Sequence, residues 1–183
     1  WRIRASNGTI NAAARGMISW TDNTGGRYYS AGTYNNLYVW NGNNARFQTI
    51  NSPALTTGFP NAQVNLGYGG YRYGAQSYGD ERSNDGSGRI LPATTWSLQT
   101  WGEYLLNCND FDGIVREWRL GVGATNNNQV ANSPINNNSI VVTEERFLMC
   151  LGAGGNVRLV KWSDREDNTS WTPTSENEAG EIE

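Results

Sequence analysis

The grouping of apolar residues is the feature that most constrains the fold of this chain. They occur in runs of three to five residues bounded by Gly, Asn and Asp, and they rarely repeat at the spacing of a helix. The 183 residues include 22 Gly and 24 Asn but only five Pro, which is a turn-rich composition. Eight Trp and nine Tyr argue against disorder. The sequence therefore predicts an all-β fold of short strands and tight turns.

Ten segments have strand-like composition. Hairpin turns are expected at Asn41-Gly42, Asp112-Gly113 and Gly154-Gly155, where Gly supplies the positive φ that two-residue turns require. The expected strands are Arg15–Thr21, Arg27–Gly32, Asn36–Trp40, Phe47–Ile50, Thr94–Thr100, Tyr104–Asn107, Ile114–Leu120, Ser139–Thr143, Phe147–Leu151 and Val157–Ser163.

An internal repeat organises these strands. A Thr followed, after three intervening residues, by a short apolar run occurs at Thr33, Thr100 and Thr143. The second and third copies lie 43 residues apart, the period of a four-stranded propeller blade, and the 67 residues between the first two are interpreted as one period plus an insertion. We expect propeller-like four-stranded blade repeats, with a meander or sandwich as the alternative. The residues expected in the core are Leu37, Val39, Leu105, Phe147 and Met149.

Two insertions interrupt the strands. The long insertion at 57–92 sets four tyrosines among glycines, and such loops often form interfaces because Tyr offers a large contact area at a low entropy cost. It is predicted to contact another subunit, with a partly ordered surface loop as the alternative. The second, the Asn-rich segment 124–138, is expected to be a solvated loop without chemistry. The candidate interface residues are Tyr68, Tyr71, Tyr73 and Tyr78.

Several kinds of site are excluded or disfavoured. The chain has no His, which removes Ser-His-Asp and Cys-His catalysis and His-ligated zinc. Its 14 basic residues face 17 acidic ones, so it lacks the positive field of a nucleic-acid coat. Cys108 and Cys150 are expected to be buried, reduced thiols. Asn109–Gly113 is a poor match to a calcium loop, and a hairpin tip explains it. We expect no catalytic residues, metal or cofactor.

The chain from 162 to 183 is acidic. It carries seven Asp or Glu against Arg165 alone, and it is expected to lie on a surface that faces a channel or meets a neighbouring subunit. A plain solvated face is the alternative. Ser163–Trp171 resembles the Asp-box of sialidase propellers, although the Gly of that motif is missing. The candidate acidic surface consists of Asp164, Glu166, Asp167, Glu176 and Glu178.

Several short motifs are distributed along the chain. They are Ala12-Ala13-Ala14-Arg15-Gly16-Met17, Pro92-Ala93-Thr94-Thr95-Trp96-Ser97-Leu98, Trp101-Gly102-Glu103-Tyr104-Leu105, Thr143-Glu144-Glu145-Arg146-Phe147-Leu148, Gly152-Ala153-Gly154-Gly155-Asn156, Val160-Lys161-Trp162-Ser163-Asp164, Glu166-Asp167-Asn168, Trp171-Thr172-Pro173 and Asn177-Glu178-Ala179-Gly180. Together these motifs resemble a family of tailed-bacteriophage virion proteins. The resemblance covers most of the chain and is most specific from 92 to 180. The blade-like repeats of that family are similar to the tail nozzle, or tail tubular, proteins of short-tailed phages.

The resemblance implies a structural subunit of a phage tail that forms part of the conduit for DNA ejection. Its expected partners are copies of itself in a ring, other tail or portal-proximal proteins, and DNA that passes without sequence-specific binding. It would be located in the virion tail after assembly in the bacterial cytoplasm. Residues 1–183 are expected to be a fragment of a larger propeller-like domain, and no membrane span is expected. The alternative function is a receptor- or glycan-binding tail domain.

Overall fold

The computed structural model describes residues 9–42, 46–64, 90–120 and 127–183. Within these ranges the chain is nearly all β, which confirms the all-β part of the prediction, and its helical content is one 3₁₀ turn at Ala153–Gly155. The strands are β1 (Gly16–Thr21), β2 (Arg27–Gly32), β3 (Leu37–Asn41), β4 (Arg46–Thr49), β5 (Gln63–Val64), β6 (Ile90–Leu91), β7 (Trp96–Trp101), β8 (Tyr104–Asn109), β9 (Arg116–Trp118), β10 (Asn127–Gln129), β11 (Ser139–Val142), β12 (Leu148–Leu151), β13 (Val160–Trp162) and β14 (Gly180–Ile182).

Twelve of these strands form three four-stranded antiparallel meanders. Sheet 1 has the order β1-β2-β3-β4, sheet 2 the order β7-β8-β9-β10, and sheet 3 the order β11-β12-β13-β14. The short strands β5 and β6 pair with each other. Each sheet is thus made of strands that are consecutive in sequence, as hairpin connections favour.

Sheet 2 lies between the other two and buries both of its faces. Leu105 of β8 packs towards sheet 1, whereas Leu106 and Cys108 pack towards sheet 3. This explains why β8 is apolar at consecutive positions, whereas β1 alternates between covered and exposed residues. Two separate cores result, one at each junction between neighbouring sheets.

The first strands of the three sheets lie side by side, β1 next to β7 and β7 next to β11. At the second contact the Ser97 hydroxyl donates to the Ile140 carbonyl at 2.8 Å and accepts from the Ile140 amide at 3.1 Å. At the first contact a Cβ on Gly16 would lie 2.6 Å from the Trp96 carbonyl oxygen, so only Gly allows this approach. Within the described ranges the three sheets stack serially without closing into a ring.

The predicted repeat is correct for two of its three copies. Thr100 belongs to the β7–β8 hairpin and Thr143 to the β11–β12 hairpin. Each of these hairpins joins the first and second strands of its sheet. Thr33 instead belongs to the β2–β3 hairpin of sheet 1. The interpretation of the 67-residue spacing as one period plus an insertion is therefore wrong. The motif marks hairpins in general, and β2–β3 is a hairpin at a different position in its sheet.

The expected core residues are covered, with one shift in phase. Leu37, Val39 and Leu105 are buried, as predicted. Phe147 and Met149 are only partly buried, because β12 directs the neighbouring side chains of Leu148 and Cys150 towards sheet 2. A shift of one residue in a strand exchanges its two faces.

The Asn-rich segment is more ordered than a solvated loop. Asn127 lies in β10, is 1% exposed, and accepts a hydrogen bond from the Asn107 carboxamide at 2.8 Å. Asn137 is equally buried and donates to the carbonyls of Gly113 and Pro134. These carboxamides supply the donors and acceptors that buried backbone and side-chain groups need.

Candidate functional site

The candidate acidic surface lies at the periphery of sheet 3. Four of its five carboxylates are exposed and Asp164 is half-buried. Asp164 and Glu178 are brought together, since the Asp164 carboxylate accepts from the Glu178 amide at 2.9 Å and Arg165 pairs with Glu178 at 3.4 Å. Glu166 and Glu176 point to solvent elsewhere on the same surface. The exposure agrees with the sequence prediction, whereas the role of the surface as channel wall or interface stays a prediction.

Residues 163–171 fold into a compact clasp at the end of β13. Asp164 and Asp167 form an antiparallel bridge, and the clasp is closed by the Trp171 indole, which donates to the Asn168 carbonyl at 2.7 Å. Glu166 has φ 60°, the left-handed conformation that Gly adopts most easily, so the turn forms without the Gly of the Asp-box. The clasp is a structural device that anchors Trp171 in the core between sheets 2 and 3.

A turn motif that the sequence reasoning missed occurs twice. Asp22-Asn23-Thr24 and Asp167-Asn168-Thr169 have the same geometry: one carboxylate oxygen accepts from both the amide and the hydroxyl of the Thr. These side-chain hydrogen bonds lower the pKa of Asp22 and of Asp167. The repeated Asp-Asn-Thr triplet was the available signal.

Each of these turns is tied to a glutamate of sheet 2. The Asn23 amide donates to Glu103 at 2.6 Å, and the Asn168 carboxamide donates to Glu117 at 2.8 Å. Sheet 2 thus holds a polar contact to each neighbouring sheet at its surface, in addition to the apolar core.

A cleft of about 370 Å³ opens beside the second of these contacts. Its wall is made by the largely buried Glu117, which accepts from Arg119 at 2.5 Å as well as from Asn168. The Arg119 guanidinium lies 5.1 Å above the Tyr104 ring, so this aromatic face is covered. Asn128 and Gln129 add exposed carboxamides to the rim. The described lining residues of the cleft therefore offer hydrogen-bonding groups, and no open aromatic face is found among them.

A smaller groove, of about 250 Å³, lies beside the turns of the β7–β8 and β11–β12 hairpins. There the Arg146 guanidinium lies 4.9 Å above the Trp101 ring, and its buried Nε has no hydrogen-bond partner among the residues that the structure describes. Arg146 also has φ 64°, a conformation uncommon for a residue with a Cβ. Glu144 lines the same groove, so its walls carry both charges.

The outward surfaces of the two end sheets carry exposed apolar residues, which the sequence reasoning did not anticipate. On sheet 1 these residues share the face with the exposed polar residues Ser19, Thr21, Arg27 and Thr49. The outer face of sheet 1 is the side opposite sheet 2, and the outer face of sheet 3 is defined in the same way. The register of each sheet places the following residues together. They are Met17, Tyr29, Trp40 and Phe47 on sheet 1, and Val141, Met149, Leu151, Val160, Trp162 and Ile182 on sheet 3.

The side-chain oxygens of Asn109–Gly113, the segment that is a poor match to a calcium loop, form hydrogen bonds and an ion pair within the protein. Asp112 forms an ion pair with Arg116 at 2.8 Å, and both side chains are almost fully buried. The Asn109 side chain accepts from the amides of Phe111 and Asp112, and Asp110 accepts from Thr95. Among the residues that the structure places, no group of three or more Cys, Asp or Glu is arranged to hold a metal ion.

Both thiols are free and fully buried, as predicted. Burial raises the pKa of Cys108 to about 12 and also raises the pKa of Cys150. Neither is therefore a thiolate nucleophile in the folded protein. The candidate interface residues Tyr68, Tyr71, Tyr73 and Tyr78 lie outside the described residues.

Comparison with known proteins identifies no relative. No family model matches the chain, and no match is found among the curated proteins or the solved structures. Over the ranges described, no helix has the length and apolar character required to cross a bilayer.

Proposed function

We propose that this chain is a structural subunit of a bacteriophage tail, part of a nozzle or tail-tube ring through which DNA is ejected. The observation that carries the proposal is the serial stack of three four-stranded meanders whose first strands lie side by side. Propeller-type domains repeat this unit around an axis. The resemblance of the sequence to phage virion proteins provides the tail context, and the role requires no catalytic group or cofactor.

In this proposal sheets 1, 2 and 3 are consecutive blades of a propeller-like domain. The packing of sheet 2 between two neighbours supports it, since a blade buries one face on the preceding blade and the other on the next. The first strands β1, β7 and β11 would then be the ones closest to the axis. The partners would be copies of the chain in a ring and adjoining tail or portal-proximal proteins.

The acidic surface fits either of two positions in such a ring. A wall with exposed carboxylates would let DNA slide, because each contact between Arg and phosphate would hold the polymer in a salt-sensitive manner. Alternatively, Glu166 and Glu176, which have no ion pair among the described residues, would meet arginines of a neighbouring subunit.

The test is the location of the protein in assembled particles. Gold-labelled antibodies raised against the purified chain should bind intact tailed virions at the tail, near the portal, in electron micrographs. Particles assembled without the protein should retain filled heads but fail to eject DNA through a complete tail. Absence of the protein from purified virions would reject the proposal.

The cleft beside Glu117 favours a second candidate, a receptor- or glycan-binding tail domain. A carboxylate, a guanidinium and several carboxamides line it, and these groups bind sugar hydroxyls. NMR titration of the chain with host surface polysaccharide should then shift resonances of Glu117, Asn168 and Gln129. The Asn168→Ala variant should abolish those shifts, and an unchanged spectrum in the wild-type protein would exclude the cleft as a glycan site.

A further inference from the structure

The outer faces of sheets 1 and 3 expose apolar groups that soluble surfaces usually cover. On sheet 1, Met17 is 71% and Tyr29 is 42% exposed, and Tyr29 contacts Trp40 edge to face at 5.2 Å. On sheet 3, Ile182 is 63% and Val141 is 39% exposed. Exposed apolar residues that share one face of a sheet in this way favour an interaction site.

We infer that the outer face of sheet 3 packs against the outer face of sheet 1 of a second copy of this chain, in a head-to-tail contact. The inference rests on the proposed ring and identifies the surfaces that would join its subunits. A head-to-tail contact uses two different surfaces of each copy, so it closes into a ring or continues as a filament.

The internal packing of the chain supports this pairing. Sheet 2 uses one face for sheet 1 and the opposite face for sheet 3. Because the sheets repeat the same strand order, the outer face of sheet 3 is equivalent to the face of sheet 2 that packs on sheet 3. In the same way, the outer face of sheet 1 is equivalent to the face of sheet 2 that packs on sheet 1. Joining the two outer faces therefore repeats the relation that already exists twice within the chain.

The aromatic residues agree with this relation. At the internal junction, the Trp96 ring of sheet 2 lies so close to Gly32 of sheet 1 that a Cβ there would meet it at 2.3 Å. On the outer face of sheet 3, the Trp162 ring covers Gly180 of the neighbouring strand β14 of the same sheet, with a Cβ approach of 2.4 Å. The Trp162 ring therefore lies along the outer face of sheet 3, where a second sheet can pack on it.

Charge complementarity favours unlike faces over like ones. Residues 139–183, which include sheet 3, carry nine Asp or Glu against four Arg or Lys, a net charge of −5. Residues 9–50, which include sheet 1, carry three Arg against Asp22, a net charge of +2, and Arg27 is exposed on the same side as Tyr29. The Trp162 indole donates to the Glu178 carbonyl at 2.8 Å, so the acidic surface borders the outer face of sheet 3. A contact between two copies of sheet 3 would place two acidic segments next to each other, whereas the head-to-tail contact places the acidic segment next to the segment of positive net charge.

Two blocked variants test the inference. Val141→Lys with Ile182→Lys blocks the outer face of sheet 3, and Met17→Lys with Tyr29→Lys blocks that of sheet 1. Sedimentation velocity should show concentration-dependent association of the wild-type chain, and added salt should weaken it. Each variant alone should associate with an affinity at least about tenfold lower than that of the wild type. An equimolar mixture of the two variants should form a heterodimer and no larger species, because one intact pair of faces remains.

The control is Ile135→Lys, an exposed apolar position outside both faces, which should associate like the wild type. Unfolding midpoints of all variants should match, since the substituted side chains are exposed. A wild-type chain that stays monomeric at several hundred micromolar, or a blocked variant that still dimerises alone, would overturn the inference. If the chain associates as expected but is absent from purified virions, the phage function is rejected and the contact between copies still stands.

Discussion

The two junctions between sheets are built on the same backbone plan but filled with different chemistry. The junction of sheets 1 and 2 is aromatic, with Trp20 stacked on Tyr28 at 5.4 Å and Trp118 edge-on to both. The junction of sheets 2 and 3 is largely aliphatic and contains both thiols. The arrangement therefore depends on apolar faces of matching size and not on one set of residues.

The first junction also contains a buried charge pair, which makes it more sensitive to substitution. Arg116 pairs with Asp112 and donates to the Ala54 carbonyl at 3.2 Å. It lies in β9 of sheet 2, the sheet whose aromatic residues pack on sheet 1. The second junction has no ion pair as buried as this one among the described residues. The comparison predicts that removal of a charge damages the first junction most.

The largest effect is expected from Asp112→Asn. This change leaves the Arg116 guanidinium buried without its counter-charge, which should lower the free energy of unfolding by about 3–5 kcal/mol in urea denaturation. Glu183→Gln, which removes the partner of the exposed Arg158, is the matched control and should cost less than about 1 kcal/mol. A similar, small loss in both variants would show that the buried pair does not distinguish the junctions.

The next effect compares one leucine from each core. Leu105→Ala at the first junction and Leu148→Ala at the second remove side chains that are both fully buried, and each should cost about 2–5 kcal/mol. Val141→Ala, on the open outer face of sheet 3, should cost less than about 1 kcal/mol in the isolated chain. If Leu148→Ala were as mild as Val141→Ala, sheet 3 would not be packed on sheet 2.

Ten of the fourteen strands in the described ranges and the all-β class could be predicted from the sequence because their signals are local, whereas β5, β6, β10 and β14 were not expected. Arg27–Gly32 was placed at its observed bounds from an apolar run flanked by glycine turns. The position of each hairpin within its sheet could not be predicted. Thr33 and Thr100 both mark hairpins, but these hairpins join different strands of their sheets. The outer faces of sheets 1 and 3 were missed because burial there depends on the stacking order, which is non-local.

The burial of Asn127 was missed for a similar reason. Its partner Asn107 lies 20 residues away, and no local sequence pattern predicts that the two carboxamides pair. Asn127→Ala should remove the hydrogen bonds that the Asn107 carboxamide donates to and accepts from Asn127, leaving only the bond from Asn107 to the Arg116 carbonyl, and lower the free energy of unfolding by about 1–3 kcal/mol. Asn128→Ala, at the exposed neighbouring position, should have almost no effect in the same denaturation assay. Equal losses would mean that β10 contributes through its backbone alone.

The smallest effect concerns the two Asp-Asn-Thr turns, which make the same polar contact at opposite sides of sheet 2. The pKa of Asp22 and of Asp167 is lowered in the folded chain, chiefly by the Thr hydroxyl. Each carboxylate therefore stabilises the fold above its unfolded pKa of about 4, and this contribution is lost as the pH falls through the lower, folded value. Asp167 is exposed and Asp22 is only half-buried, so the effect on stability is small.

Asp22→Asn and Asp167→Asn should each make the unfolding midpoint less dependent on pH below about 4, as followed by Trp fluorescence. Because Asn23 contacts Glu103 and Asn168 contacts Glu117, each turn reports on a different junction. The double variant should show the sum of the two changes, since sites on opposite sides of sheet 2 share no partner. A double variant with the wild-type pH dependence would assign the acid sensitivity to other carboxylates, whereas a change larger than the sum would mean that the two junctions are coupled through sheet 2.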